Sequence, residues 1–175
     1  MRGETSLAYS ALVTAPVSAR DLLRHALATL AYRAGKALRG APAGFESFSV
    51  APGSRTPGQI LAHMGDLFDW AFHLAKGAQV WHDATPLPWD QEVTRFFTAL
   101  ETFDRHLASG APLPEGFTED KLFQGPVADA FTHTGQIAML RRLAGSPVRG
   151  ESYFRSDIAI GRVGEVQSPP RREFD

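Results

Sequence analysis

Residues 56–77 read TPGQILAHMGDLFDWAFHLAKG and carry a complete set of signals for one helix. Thr56 is a suitable N-cap, Pro57 fits the first helical position, and Gln59 completes a capping box. Apolar residues then recur at helical spacing until Gly77, where the helix is expected to end. The segment therefore predicts an amphipathic helix whose apolar face is turned toward a core.

Three more segments show the same helical spacing between clear stop signals. Ser18 is a candidate N-cap for the first of them and Asp90 for the next, while the Gly125-Pro126 pair marks the start of the last. The four predicted helices span residues 18–39, 56–76, 90–108 and 126–144. Four helices of this length predict an all-α fold, a four-helix bundle.

The composition is that of a single globular domain, with 43% hydrophobic and 21% charged residues in a chain of 175. Residues 1–175 are therefore predicted to form one domain. Within it, apolar residues spaced among polar ones predict that residues 150–175 form an ordered tail, with a short strand, across the bundle.

Charge and cysteine content exclude several classes of function. The net charge is −1, from 18 basic and 19 acidic residues, so no charge excess favours nucleic acid or an anionic membrane. The Arg141-Arg142 pair is too short for a basic stripe and is expected to be solvated or locally paired. The weakly apolar stretch 7–17 is too short to span a bilayer, so the cytoplasm is the expected location. Without cysteine, only nitrogen and oxygen ligands are available for a metal.

Three polar residues fall on helix faces that should be apolar. His63 lies on the apolar face of the second predicted helix, and Asp129 and His133 lie one turn apart on that of the fourth. A divalent metal bound by all three would offset the free-energy cost of burying them, and Zn²⁺, Ni²⁺, Fe²⁺ and Mn²⁺ suit two nitrogens and one oxygen. Because D-x-x-x-H is common by chance, a hydrogen-bonded core histidine beside a surface aspartate is the alternative.

Further residues are candidates for supporting roles around such a metal. Three protein ligands would leave a position for water or substrate, so that an activated water or a thiolate would be the nucleophile. Gln136 is a candidate to orient His133, and Asp66 to orient His63, by a hydrogen bond to the ring nitrogen that does not bind the metal. Trp70, together with Asp157 and Arg162 of the tail, is a candidate to line a substrate pocket.

Two stretches of the sequence resemble one known family. Residues 57–67 show P-x-x-I-L-A-H-M-G-D-L, and residues 129–147 read DAFTHTGQIAMLRRLAGSP. Both are similar to the DinB-like (YfiT-like) family of small metal-binding proteins, which is distinct from the DNA polymerase that shares the DinB name. The resemblance covers residues 18–149, and residues 153–164 look like a continuation found in one branch of the family.

The resemblance implies a bundle in up-down-down-up order with one metal, often zinc or nickel, bound by three histidines at its centre. His63 matches the histidine of the second helix, and His133 matches the second histidine of an H-x-x-x-H pair. Asp129 stands where the family usually has the first histidine of that pair. Two interpretations of this departure stay open: a carboxylate as the third ligand, or weak or absent metal binding.

Two hypotheses of function follow. One is a metal-dependent enzyme acting on a small molecule, either a hydrolase or, as the resemblance implies, a transferase that uses a low-molecular-weight thiol. The other is a non-catalytic metal- or ligand-binding bundle related to stress responses. The phenylalanines Phe96, Phe97 and Phe103 on the third helix also suggest an apolar face that a second copy would cover in a homodimer.

Overall fold

Helices account for most of the structure, a computed structural model that describes residues 16–174. The helices are α1 (Ala19–Leu38), α2 (Pro57–Ala75), α3 (Trp89–Ala108), α4 (Glu119–Leu122) and α5 (Ala128–Leu143). The strands are β1 (Gly150–Glu151) and β2 (Glu173–Phe174). The all-α class is confirmed. Within the described residues no helix is long and apolar enough to cross a membrane. Most of the weakly apolar stretch 7–17 lies outside them.

The starts of the first two helices follow their capping signals. The Ser18 side chain accepts a hydrogen bond from the Asp21 amide at 3.0 Å, and both bonds of the predicted capping box are present between Thr56 and Gln59. The third helix differs, because α3 begins at Trp89 and Asp90 lies inside its first turn instead of capping it. The carboxylate there still favours the positive end of the helix.

The fourth predicted helix begins earlier than its sequence indicates. Helix α4 leads through a π-helical segment, Phe123–Val127, directly into α5, and Pro126 lies inside that segment. Proline lacks a backbone N–H and its ring crowds the carbonyl four residues earlier, so it normally marks a helix start. In this chain the wider π turn accommodates the ring, and the helical path continues on both sides of it.

The core lies where α2 packs against α3 and where α1 packs against α3 and α5, with α2 also in contact with α5. Phe96 and Phe103 are fully buried and Phe97 is 3% exposed. The prediction of an exposed apolar face on the third helix is therefore wrong, because those rings fill the core of the single chain. A homodimer therefore finds no support in an exposed face of α3.

Arg141 has a structural role that its sequence context did not indicate. Its guanidinium is buried and donates hydrogen bonds to the carbonyls of Ala37, Arg39 and Gly40, at the end of α1. These carbonyls have no partner within the helix, so Arg141 caps α1 from a distance. The expected local pairing is also present, because Arg141 donates to the carbonyl and the hydroxyl of Ser146, but the contact with α1 was not predicted.

The tail is held on α1 by a buried carboxylate. Strands β1 and β2 pair antiparallel, and Glu151 of β1 accepts hydrogen bonds from Tyr32 at 2.6 Å and from Lys36 at 2.7 Å. Lys36 also donates to Glu173 of β2 at 2.7 Å. Further along the tail, Val163 is buried in the core. The tail therefore packs against the helices through both polar and apolar contacts.

Candidate metal centre

Three side chains from two helices converge at one point. His63 projects from α2, and Asp129 and His133 project from α5, one helical turn apart. Nε2 of His63 lies 3.3 Å from Oδ2 of Asp129, and Nε2 of His133 lies 3.4 Å from Oδ1 of the same carboxylate. The two imidazole rings meet edge to face, with centroids 4.9 Å apart. The structure thus brings together the three residues that the sequence singled out.

The exposure of these side chains decreases toward the core. The Asp129 side chain is 45% exposed, that of His63 is 20% exposed, and that of His133 is 10% exposed. The group therefore sits at the edge of the core with the carboxylate toward solvent. A small molecule could reach the carboxylate without any opening of the helices.

The donor set fits a divalent ion. One ligand atom from each residue lies within 4.8 Å of the others, and no other such group of three is present in residues 16–174. Neighbouring ligands on a tetrahedral ion with bonds of about 2.1 Å are roughly 3.4 Å apart, close to both carboxylate–imidazole distances. Two imidazole nitrogens and a carboxylate oxygen are also ligands that zinc and nickel accept.

Gln136 lies where the sequence places a supporting residue. Its side-chain oxygen is 2.9 Å from Nδ1 of His133. Since a carbonyl oxygen only accepts, this contact requires the proton on Nδ1 and leaves the lone pair of Nε2 facing Asp129. Gln136 thereby selects the tautomer of His133 that can bind a metal through Nε2.

Asp66 is held by a different partner from the one its spacing suggested. It was predicted to orient His63, but one carboxylate oxygen accepts from Arg95 of α3 at 2.9 Å and the other from the Ala84 amide at 3.0 Å. Both oxygens of Asp66 therefore accept hydrogen bonds from groups other than His63. The partner was missed because Arg95 is 29 residues away in sequence, too far for any local spacing rule to reach.

Arg95 joins several groups beside the triad. It donates to the buried Glu92 and to the carbonyl of Ala62, and it lies 3.6 Å from Asp69. Burial alone lowers the pKa of Arg95, but its hydrogen bonds to Glu92 and Asp66 outweigh burial and raise that pKa. Burial raises the pKa of Asp69, against the attraction of Arg95. The arginine stays charged and ties α3 to α2 next to His63.

Two indoles form an aromatic wall above the triad. The Trp81 ring lies edge-on to His63 at 5.6 Å and to Trp70 at 5.8 Å. A cavity of about 410 Å³ opens between them and is lined by His63, Leu67, Trp70, Gln79, Trp81 and Asp129. Trp70 therefore lies beside the triad as expected, whereas Trp81 carried no signal beyond packing in the sequence.

Asp157 and Arg162, the two tail residues proposed for the same pocket, lie elsewhere. They pair with each other at 3.3 Å, and both contact Ser168. Nearby, Gly161 approaches Arg24 of α1 and Gly164 approaches Glu101 of α3. The tail thus crosses the α1–α3 side of the molecule, while the triad lies between α2 and α5. Three cavities lined by His63 or Asp129 contain no residue of the described part of the tail.

An apolar groove of about 600 Å³ lies away from the triad. It runs between α1 and the start of the α4–α5 segment and is lined by Leu22, Leu23, Phe123 and Phe131 among others. No group of ligating side chains converges there within the described residues. The triad, and not this apolar groove, is therefore the candidate site for chemistry.

Comparisons of the chain with models of protein families, with curated proteins and with solved structures gave no match. The resemblance to the DinB-like family accordingly stays a prediction based on the two stretches around His63 and His133.

Proposed function

We propose that this chain is a metal-dependent enzyme of the DinB-like type, a four-helix bundle in up-down-down-up order that acts on a small molecule in the cytoplasm. One divalent ion, zinc or nickel in preference to iron or manganese, is held by His63, Asp129 and His133. The observation that carries the proposal is the convergence of their ligand atoms within 4.8 Å of one another, from two helices, at the edge of the core.

The reaction proposed is hydrolysis or the transfer of a low-molecular-weight thiol. When bound, the ion would act as a Lewis acid that lowers the pKa of a water or thiol beside it. Gln136 keeps the proton on Nδ1 of His133, so Nε2 of His133 and the Asp129 carboxylate beside it would both offer lone pairs to the ion. Trp70 and Trp81 limit the access of water on one side, which strengthens polar interactions within the site.

The exposed position of Asp129 supports a site open to substrate. With 45% of its side chain exposed, the carboxylate lines two neighbouring cavities, one beside Trp81 and the other beside Gln124. A structural metal is normally enclosed by four protein ligands, whereas a catalytic metal keeps one position free. Three ligands beside open cavities favour the catalytic class.

One observation favours a second candidate function. In this alternative the chain is a non-catalytic bundle that forms a dimer or binds a ligand other than a metal ion. The side chains of the triad have partners without an ion, since His63 pairs with Asp129, His133 donates to Gln136, and no buried side-chain polar atom of the described residues lacks a hydrogen-bond partner. Such a network is stable without an ion. This candidate predicts no stoichiometric metal and no dependence of stability on added metal.

Metal analysis of protein purified without a histidine tag separates the two candidates. We expect about one zinc or nickel ion per chain, lost in the variants His63→Ala and His133→Ala. His25→Ala, which removes an exposed histidine outside the triad, is the matched control and should keep full occupancy. Metal retained equally by all three variants contradicts the site, and a metal-free parent that stays metal-free after dialysis against zinc supports the non-catalytic bundle.

The two reactions are separated by their need for a second substrate. With the metal-loaded protein and an activated ester as probe, hydrolysis should proceed in buffer alone. Thiol transfer should require a small thiol such as cysteine, whose sulfur attacks the acyl carbon, expels the alcohol of the ester and forms a thioester. In either case, loss of turnover in His133→Ala but not in His25→Ala ties the reaction to the triad.

A further inference from the structure

A second, polar cavity meets the metal centre at His63. It has a volume of about 370 Å³, within the range of small-molecule sites. Its polar lining consists of Ser54, Arg55, Gln59, His63, Asp66 and Asp83. His63 lines this cavity and also the cavity between Trp70 and Trp81. A molecule bound in the polar cavity therefore has one end beside the triad.

Most acceptors in this cavity are already occupied. Both oxygens of Asp66 are used by Arg95 and the Ala84 amide. The Ser54 hydroxyl bonds to the carbonyl of Ala51 and to Ser49. Asp66 and Ser54 therefore shape the cavity but contribute little hydrogen bonding to a ligand.

The donors, in contrast, are free. The side-chain oxygen of Gln59 accepts from the Thr56 amide at 2.9 Å, which fixes the side chain and leaves its NH₂ group without a hydrogen bond among the described residues. The exposed Arg55 forms neither a hydrogen bond nor an ion pair with any residue of 16–174, and it is the one arginine or lysine in the cavity lining. A guanidinium offers five N–H groups and an amide two, so donors exceed free acceptors.

Asp83 is the one carboxylate in the cavity that keeps an unpaired oxygen. Its Oδ1 accepts from Nε1 of Trp81 at 3.0 Å, and this bond also holds the Trp81 indole beside His63. The cavity therefore offers one free carboxylate oxygen as an acceptor, and it offers several free N–H donors on Arg55 and Gln59. The balance of hydrogen bonding therefore favours a ligand that accepts more than it donates.

From this balance we propose that Arg55, assisted by Gln59, binds a carboxylate on the substrate and so sets the specificity of the site. A planar carboxylate matches the fork of a guanidinium, which can donate two parallel hydrogen bonds to it. The substrate class is then a small carboxylic acid whose reacting group lies at the His63 end of the cavity. This inference rests on the proposed function, since it takes the triad as the reacting centre.

The experiment uses protein loaded with Co²⁺, whose absorbance reports a thiolate bound to the metal. Three probes of similar size are titrated: 3-mercaptopropionate, its neutral amide, and the cationic cysteamine. We expect 3-mercaptopropionate to bind about fivefold more tightly than the amide, the size expected for one partly exposed charge pair. Arg55→Gln should remove this preference and leave the affinity for the amide unchanged.

Arg105→Gln, which removes an exposed arginine of α3 that lines none of the cavities described, is the matched control and should keep the preference. A parent that binds acid and amide equally overturns the inference. So does an Arg55→Gln variant that keeps the preference, or a parent that binds cysteamine most tightly, because Asp83 would then govern the cavity.

A second measurement tests the inference without the metal. Propionate and propionamide are titrated into the metal-free protein while the side-chain N–H signals of Arg55 and Gln59 are followed by nuclear magnetic resonance. Saturable shifts with propionate alone support the carboxylate site even if cobalt does not bind, in which case only the proposed function fails. No shift with propionate overturns the inference, whatever the metal content.

Discussion

Oδ2 of Asp129 lies 3.3 Å from Nε2 of His63, so a carboxylate on α5 is held against an imidazole on α2. The same carboxylate contacts His133 on its own helix. Asp129 is thus the residue through which the two helices share one site. It is also the position at which the chain departs from the three-histidine pattern that its resemblance implies.

Replacing Asp129 tests whether it is a ligand. We expect Asp129→Ala to lower zinc affinity by at least roughly 100-fold, more than is usual for a residue behind a ligand. Asp129→His, which supplies a third imidazole, should retain tight binding and shift preference toward nickel. Competition with a chromophoric chelator measures both. An alanine variant with the parent's affinity would place Asp129 outside the ligand set.

Gly65 permits the close approach of Arg95 to α2. A Cβ added at Gly65 would lie 2.7 Å from the guanidinium carbon of Arg95, which Glu92 and Asp66 hold in place. Gly65→Ala should therefore destabilise the protein by about 1–3 kcal/mol in urea unfolding, despite the better helix propensity of alanine.

Gly135 is the matched control for that substitution. It is an exposed helical glycine with no atom within 4 Å of an added Cβ, so Gly135→Ala should stabilise the protein by about 0.5–1 kcal/mol. If both variants shift stability in the same direction, the Arg95 network does not depend on the close approach at Gly65.

Removing the cap on α1 should be costly. Arg141→Ala leaves the carbonyls of Ala37, Arg39 and Gly40 without their donor, and we expect a loss of about 2–4 kcal/mol. The exposed neighbour Arg142 provides the control, with Arg142→Ala expected within about 0.5 kcal/mol of the parent. Thermal unfolding followed by circular dichroism measures both, and equal melting temperatures would refute the capping role.

The contact between the tail and α1 should depend on pH. Burial alone would raise the pKa of Glu151, but hydrogen bonds from Lys36, Tyr32 and Ser156 outweigh it and hold the pKa below its ordinary value. The unfolded chain therefore takes up this proton more readily than the folded one. The stabilisation is complete above pH of about 4.3 and is lost as pH falls through the lower pKa of the folded protein.

Glu151→Gln removes that dependence. We expect it to destabilise the protein by about 2 kcal/mol near pH 7, with the difference from the parent shrinking below about pH 4. Urea unfolding across this range measures the effect, and Glu115→Gln, at an exposed position, should show no such change. A difference that stays constant with pH would mean that the Glu151 carboxylate is not the source.

The sequence predicted those parts of the site that local spacing controls. The i, i+4 relation of Asp129 and His133 places both on one face of α5, and the three-residue step to Gln136 brings its side chain to His133. His63 was recognised because a histidine on an apolar stripe is unusual. Helical periodicity is a property of the chain itself, so these relations need no knowledge of neighbouring helices.

Contacts between residues far apart in the sequence could not be predicted from helical periodicity. Asp66 was expected beside His63 but is held by Arg95, and Asp157 and Arg162 were expected at the pocket but lie on the α1–α3 side. Arg55 shares a cavity with His63 and Trp81 contacts it, and both residues lie in loops on either side of α2. Loop paths depend on contacts that no periodicity encodes.

By itself the sequence determined the helical class, the caps of α1 and α2 and the two histidine-bearing faces, because hydrogen bonds and apolar spacing within about four residues set them. Only the tertiary structure decided that Pro126 lies within a continuous helical path, that Arg141 caps a helix 104 residues away, and that the triad closes across two helices. Those outcomes depend on which helices pack together, and packing is a property of the whole folded chain.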